Sequence, residues 1–306
     1  MYYSGLNNLE SKGKEDSKLE NKIVKTLIYD KQVRLYFVDN TKLINEILSQ
    51  SKVTNRLLKL ILGKSVSVVS LISGTLKGDQ RISLQMTMSD PKYKVFADVD
   101  AKGNVRGYLN EELLKTSFDD INNVSLEYFI GHKGTIRVIK GSEMNQFTGI
   151  TDMPYGNIVD DISHYFKQSE QTQTYIGANI ELGNDNSLLF SKAIYAQLLP
   201  GAPIHLLDEV KHTINTNQEF FNRFVNFRAN NSEKKLRKLF KDVKVIGYSP
   251  VQFFCGCSKE MFYGMLHSLS RDDLKQAINK KEPIDTVCQI CGRTYSFGQS
   301  EIQELL

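Results

Sequence analysis

The sequence predicts an α+β protein: an N-terminal mixed α/β core domain, a helical linker and a small C-terminal zinc-binding domain built on four cysteines. Three observations lead there. Period-two apolar alternation is concentrated between Arg81 and about Tyr155, helical periodicity lies mostly to either side, and all four cysteines follow Pro250. The boundaries that result are a loosely ordered extension over residues 1–20, a core over 21–203, a linker over 204–250 and a terminal domain over 251–306.

Asn21 to Asp39 reads as a short helix followed by a strand, because Gln32-Val-Arg-Leu-Tyr-Phe-Val38 alternates and then turns continuously apolar. Asn40 or Thr41 can cap a helix that places Leu43, Ile44, Ile47 and Leu48 on one face. Thr54 can cap the next helix, which ends near Gly74 and Gly78. Leu57 to Leu76 is the most apolar stretch, but Lys59 and Lys64 interrupt it. Its longest uncharged run, Ser65 to Leu76, has 12 residues. That is too short for a hydrocarbon layer of about 30 Å, so a buried core helix is expected.

Ile82, Leu84 and Met86 alternate with polar neighbours, as do Val95, Ala97 and Val99. A hairpin turn over Ala101 to Asn104 leads into a strand from Val105 to Leu109. Gly134 to Ile139 and Thr174 to Leu182 read as further strands, with a helix from Ile158 to Ser169 between them. Pro200 and Pro203 mark a boundary. Ile204 to Ile246 then reads as helical, with Phe220, Phe221, Phe224, Val225 and Phe227 clustered on one stretch. Six basic residues between Lys234 and Lys244 surround Leu236, Leu239, Phe240 and Val243. An amphipathic pair packed on the core is the plain reading; a detachable cover, which needs the cysteines downstream, is the sharper one.

In the terminal segment Ser258 can cap a helix burying Met261, Phe262, Met265 and Leu266. Ser270 with Asp273 and Ser300 with Gln303 resemble capping boxes. Only 56 residues remain after Pro250, too few to bury much core without a staple. The staple is Cys255-x-Cys257, thirty intervening residues, then Cys288-x-x-Cys291. Two short chelating loops offer four soft ligands to one Zn2+ ion, and Gly292 permits a tight turn behind the second pair. His267 lies between the pairs and is left out of the ligand set. Zinc keeps sulfurs as thiolates, the form that oxidants attack, and each sulfur has a near neighbour with which a sulfenic acid could condense. A purely structural zinc ribbon fits the spacing equally well.

These blocks resemble the redox-regulated 33-kDa heat-shock chaperones, heat shock protein 33. The resemblance rests on Cys255-Gly-Cys257-Ser258, Cys288-Gln-Ile-Cys291 with Tyr295 and Phe297, and three core stretches: Gly74 to Asp79, Asp98 to Tyr108 and Tyr165 to Gln171. It covers about residues 21 to 306. It implies an ATP-independent holdase without catalytic residues, inactive when reduced and zinc-bound. Oxidation would form disulfides within each close pair, Cys255 with Cys257 and Cys288 with Cys291, release the zinc and unfold the linker. Unfolded client proteins are the implied partners, with Phe220, Phe221, Phe224 and Phe227 as the implied client-binding residues and a homodimer on activation.

Composition excludes little by itself. The chain has 306 residues, 41% of them hydrophobic, and a net charge of +4 from 39 basic and 35 acidic residues, too even to indicate nucleic acid or a membrane. The first twenty residues lack the apolar centre of a secretory signal, and four cysteines without a disulfide pattern suit a reducing, cytoplasmic setting. Gly63-Lys64-Ser65 is not a phosphate loop, since position 58 is Leu, so ATP is not expected. Asp98-x-Asp100 is not a calcium loop, since Lys102 and Leu109 stand at ligand positions. The alternative from another class is a zinc ribbon that binds nucleic acid or ribosomes through the Lys234 to Lys244 stretch.

Overall fold

The structure is a computed structural model that describes residues 21–51, 53–116, 124–222 and 229–306. In chain order, β1 (Lys22–Ile28) and β2 (Val33–Asp39) precede α1 (Thr41–Gln50) and α2 (Arg56–Ile72). Then come β3 (Arg81–Thr87), β4 (Lys94–Asp100), β5 (Asn104–Leu109), α3 (Glu111–Leu114), α4 (Leu126–Ile130), β6 (Thr135–Gly141), β7 (Gln146–Asp152) and α5 (Ile158–Gln168). β8 (Thr174–Leu182) and β9 (Leu188–Leu198) lead to α6 (His205–Thr216), α7 (Gln218–Asn222) and α8 (Ala229–Leu236). The chain finishes with β10 (Lys244–Pro250), β11 (Gln252–Phe253), α9 (Lys259–Leu266), α10 (Arg271–Lys280), β12 (Ile284–Val287), β13 (Thr294–Phe297) and α11 (Gln299–Gln303).

Two sheets enclose α2. One runs β10-β1-β2-β9-β8 and is antiparallel throughout; the other runs β11-β5-β4-β3-β6-β7, antiparallel except where β11 lies parallel to β5. α2 packs on β4 and β5 to one side and on β8 and β9 to the other. It is buried over most of its surface and accordingly apolar, with its charges Arg56, Lys59 and Lys64 kept to the positions that are not buried. It is the one described helix long and apolar enough to cross a membrane, and 78% of its apolar window is buried inside the protein. Its serines satisfy their hydroxyls internally: Ser65 donates to Ile61 O, and Ser67 and Ser70 accept from Asn40 Nδ2 at 2.9 and 2.8 Å.

Both faces of β2 are covered. Tyr36 and Val38 face α2 in the main core, while Val33, Leu35 and Phe37 face a second core with Leu206, Val210 and Ile214 of α6 and with Leu236, Phe240 and Val243. This is why the run from Leu35 to Val38 stops alternating.

Several expectations are corrected. The stretch from Asn21 to Asp39 holds no helix; it is the β1–β2 hairpin, closed by Tyr29, Asp30 and Lys31 at positive φ. Strand wins because Ile23 and Val24 point to opposite cores, which suits a two-sided strand and not one helical face. The cap of α2 is Asn55, whose side chain accepts from the N–H groups of Leu57 and Leu58, and not Thr54. The segment from Ile204 is helical only in part: β10 begins at Lys244 and pairs antiparallel with β1 from Leu27 to Lys22. In α9, Ser258 caps as expected, but Met261 and Met265 are exposed and only Leu266 is buried. α11 starts from Gly298, whose N–H donates to Glu301, and not from Ser300.

Candidate metal centre

Each cysteine pair is held by a different part of the fold. The first sits at the end of an arm laid along the second sheet. Gln252 N donates to Gly103 O at 2.9 Å and Phe254 N to Val105 O at 3.0 Å, so the arm runs beside β5 as an edge strand right up to Cys255. Arg106 fixes the end of the arm. Its Nη1 donates to Cys255 O at 3.1 Å while its Nε lies 3.0 Å from Asp98 Oδ1. Asp98 in turn accepts from Ser83 Oγ at 2.5 Å and pairs with Arg81 Nε at 3.0 Å. Gly256 then turns the chain at a φ of 71°, which brings Cys257 round.

The second pair lies in a knuckle between β12 and β13. Cys288 N donates to Arg293 O at 2.9 Å and Gly292 N donates to Cys288 O at 2.8 Å, with Gly292 at a φ of 68°. The glycine takes the left-handed conformation that the tight turn requires. Tyr295 joins the two halves: its hydroxyl is 3.1 Å from both Sγ and O of Cys257.

The four sulfurs converge. All lie within 4.8 Å of one another, and two separations between the pairs are 3.4 Å, for Cys255 to Cys288, and 3.5 Å, for Cys257 to Cys291. A tetrahedral zinc with bonds of about 2.3 Å needs sulfurs about 3.8 Å apart, so this donor set fits the ion in number, softness and spacing. His267 is not in the cluster; its ring packs edge-on to Tyr263 at 6.1 Å. Among the thiols themselves, burial pushes Cys255 and Cys291 up. Burial also opposes ionisation of Cys257, but hydrogen bonds from Tyr295 and the neighbouring thiols outweigh it and bring Cys257 down to about 7.

Beneath the cluster is a cleft of about 380 Å³ on the outer face of the second sheet, lined by Gln85, Phe96, Tyr108, Arg137, Met261 and Ile290 with Cys255, Cys257 and Cys288. Phe96 stacks on Tyr108 at 4.7 Å. The rest of the terminal segment has a core of only four buried apolar side chains, Leu266, Leu274, Phe297 and Ile302, which is thin for 56 residues.

The other expected site residues fare differently. Phe221 stacks on Phe37 at 5.8 Å and lies against the second core. The side chain of Phe220, together with Phe224 and Phe227, falls outside the described residues. Arg106 and Asp98 were not expected at the site, although their register was available. A hairpin over Ala101 to Asn104 sets Asp98 opposite Arg106 on the outer face, and both are charged at positions that a buried face would fill with apolar groups.

The sequence profile of the Hsp33 protein family matches residues 21–298. The chain belongs to the Hsp33 family of chaperones. A 33 kDa chaperonin of Bacillus pumilus is 28% identical over 92% of this chain and 97% of its own. One from Staphylococcus haemolyticus is 25% identical over 93% and 97%. The 33 kDa chaperonin (heat shock protein 33 homolog) of Thermotoga maritima, a solved structure, shares 18% identity at a TM-score of 0.78, covering 94% of this chain and 97% of that one. That likeness extends the agreement to the fold.

Proposed function

We propose that this Hsp33 chaperone is an ATP-independent holdase switched by oxidation of Cys255, Cys257, Cys288 and Cys291. The observation that carries the reading is the convergence of four sulfurs within 4.8 Å from two separately anchored arms. When bound, zinc would hold the sulfurs as thiolates and crosslink the sheet-bound arm to the knuckle. Peroxide transfers one oxygen to a thiolate, giving a sulfenic acid, and the neighbouring thiol displaces water to leave a disulfide. Forming each disulfide gives up two electrons to the peroxide and removes two ligands.

Loss of the staple leaves a segment with four buried apolar side chains, so the segment opens. The resemblance supports pairing within each close pair, and it supports the linker over 204–250 as the element that melts next. Melting exposes the second core, including Phe37 and Phe221, to unfolded client proteins. Dimerisation on activation and a reducing, cytoplasmic location belong to the same reading.

The test uses the full chain. The reduced protein should carry one zinc per chain and fail to suppress light scattering by a heat-denatured client. After peroxide with mild warming, zinc should be free and aggregation suppressed. Suppression by the reduced, zinc-loaded protein at equal strength would overturn the switch.

A further inference from the structure

The second sheet has two rims. One is the short β11 that leads into the cysteine arm; the other is β7, which pairs with β6 alone. Its ladder is phased from both ends. Ser142 N donates to Asn145 O at 3.1 Å, and Met153 N donates to Gly134 O at 3.0 Å. In steps of two between these bonds, Phe147, Gly149 and Thr151 exchange hydrogen bonds with β6. The amide and carbonyl groups of Gln146, Thr148, Ile150 and Asp152 therefore point out of the sheet. Among the described residues these outward groups have no hydrogen-bond partner.

Sheet rims are ordinarily guarded against pairing by charges, prolines or bulges. The rims of the first sheet follow that rule. β10 carries Lys244 and Pro250, and β8 carries Glu181 with a register shift between Glu181 and Leu182. β7 has no such guard. From Gln146 to Thr151 it contains no charge, no proline and no register shift, and its Phe147 and Ile150 are 76% and 63% exposed.

We propose that β7 pairs antiparallel with β7 of a second copy of this chain, joining two six-stranded sheets into one. The strand is self-complementary, which selects this occupant. With Gly149 on the two-fold axis, Thr148 meets Ile150 of the second copy and Gln146 meets Asp152, and these pairs use every outward group. Moving the axis to Thr148 or Ile150 leaves outward groups unpaired at one end of each strand. The one charge, Asp152, faces an amide and never its own copy. Gly149 occupies the non-hydrogen-bonded position on the axis, where opposed Cα atoms come within about 4.5 Å. The cysteine arm lies at the opposite rim, so both arms of the dimer stay free and the pairing does not rest on the cysteine chemistry.

The test uses the reduced, zinc-loaded full chain without client or oxidant. Sedimentation over a concentration series should show a monomer–dimer equilibrium with a dissociation constant on the order of 10–100 µM. Amide exchange should carry the parity of the ladder. Phe147, Gly149 and Thr151 should be protected at every concentration, and Gln146, Thr148, Ile150 and Asp152 only as the dimer forms. In a mixture of labelled and unlabelled chains, nuclear Overhauser contacts should join the methyl groups of Thr148 and Ile150 from different copies. Ile150→Lys sets a charge on the rim, and Thr148→Pro removes an outward N–H while sparing the bonds to β6. Each should weaken the dimer by about tenfold or more. A chain that stays monomeric at millimolar concentration overturns the assignment, as does a dimer that either variant leaves intact. So does protection of the outward amides that is independent of concentration, the mark of pairing within one chain, or that appears only when an unfolded client is added.

Discussion

Gly103 sits directly beneath the backbone carbonyl of Pro250: a Cβ on Gly103 would lie 2.0 Å from that oxygen. Gly103 also has a φ of 81°, so two independent reasons exclude a side chain there. The approach is what lets Gln252 reach Gly103 O and start the arm towards Cys255. Gly103→Ala should therefore detach the arm, weakening its docking by about 1–3 kcal/mol. Hydrogen exchange should speed up at Gln252 and Phe254 before it changes in β3 or β4. Unchanged exchange at those amides would show that the arm does not depend on the turn.

Arg106→Met removes both the bond to Cys255 O and the pairing with Asp98 while keeping the apolar stem. Asp98 retains Ser83 and Arg81, so the sheet should stay folded. The metal loop loses its tether. Zinc transfer to a chromophoric chelator should accelerate by on the order of tenfold, with a melting temperature within a few degrees of the parent. Equal transfer rates would mean that the arginine does not restrain the loop.

Cys291→Ser leaves three thiolates and a weak oxygen donor. Zinc content should fall well below one per chain, and residues 251–306 should lose exchange protection, because four buried side chains cannot hold them alone. The two-sheet core has its own large apolar cluster and should keep its protection. Equal loss over residues 21–200 would argue that the terminal segment is part of one cooperative unit.

Oxidised peptide mapping separates two outcomes that the geometry leaves distinct. The proposed switch joins Cys255 to Cys257 and Cys288 to Cys291, whereas Cys255 also lies 3.4 Å from Cys288 and Cys257 3.5 Å from Cys291, close enough for cross-pair bonds to compete. Disulfides within the close pairs, accompanied by new protease cleavage first between residues 204 and 250, are expected. Cross-pair disulfides would tie the arm to the knuckle and oppose release.

Much of the fold and most of the metal centre were legible in the sequence for local reasons. The alternation of Ile82, Leu84 and Met86 survives folding because one face of β3 is buried and the other is not. The cysteine cluster was readable because short chelate loops need no long-range information. What failed was non-local. Lys22 to Ile28 makes sense as a strand only once β2 and β10 flank it, and β10 follows β1 by more than two hundred residues. Lys244 to Pro250 carries no helical or strand bias strong enough to announce that pairing.

The pairing of β10 with β1 means that the element leading into the cysteine arm is itself the rim of the first sheet. Any event that strips it away uncovers more than oily side chains. It leaves β1 with a row of open amide and carbonyl groups from Lys22 to Leu27, a template that can accept any extended polypeptide irrespective of its sequence.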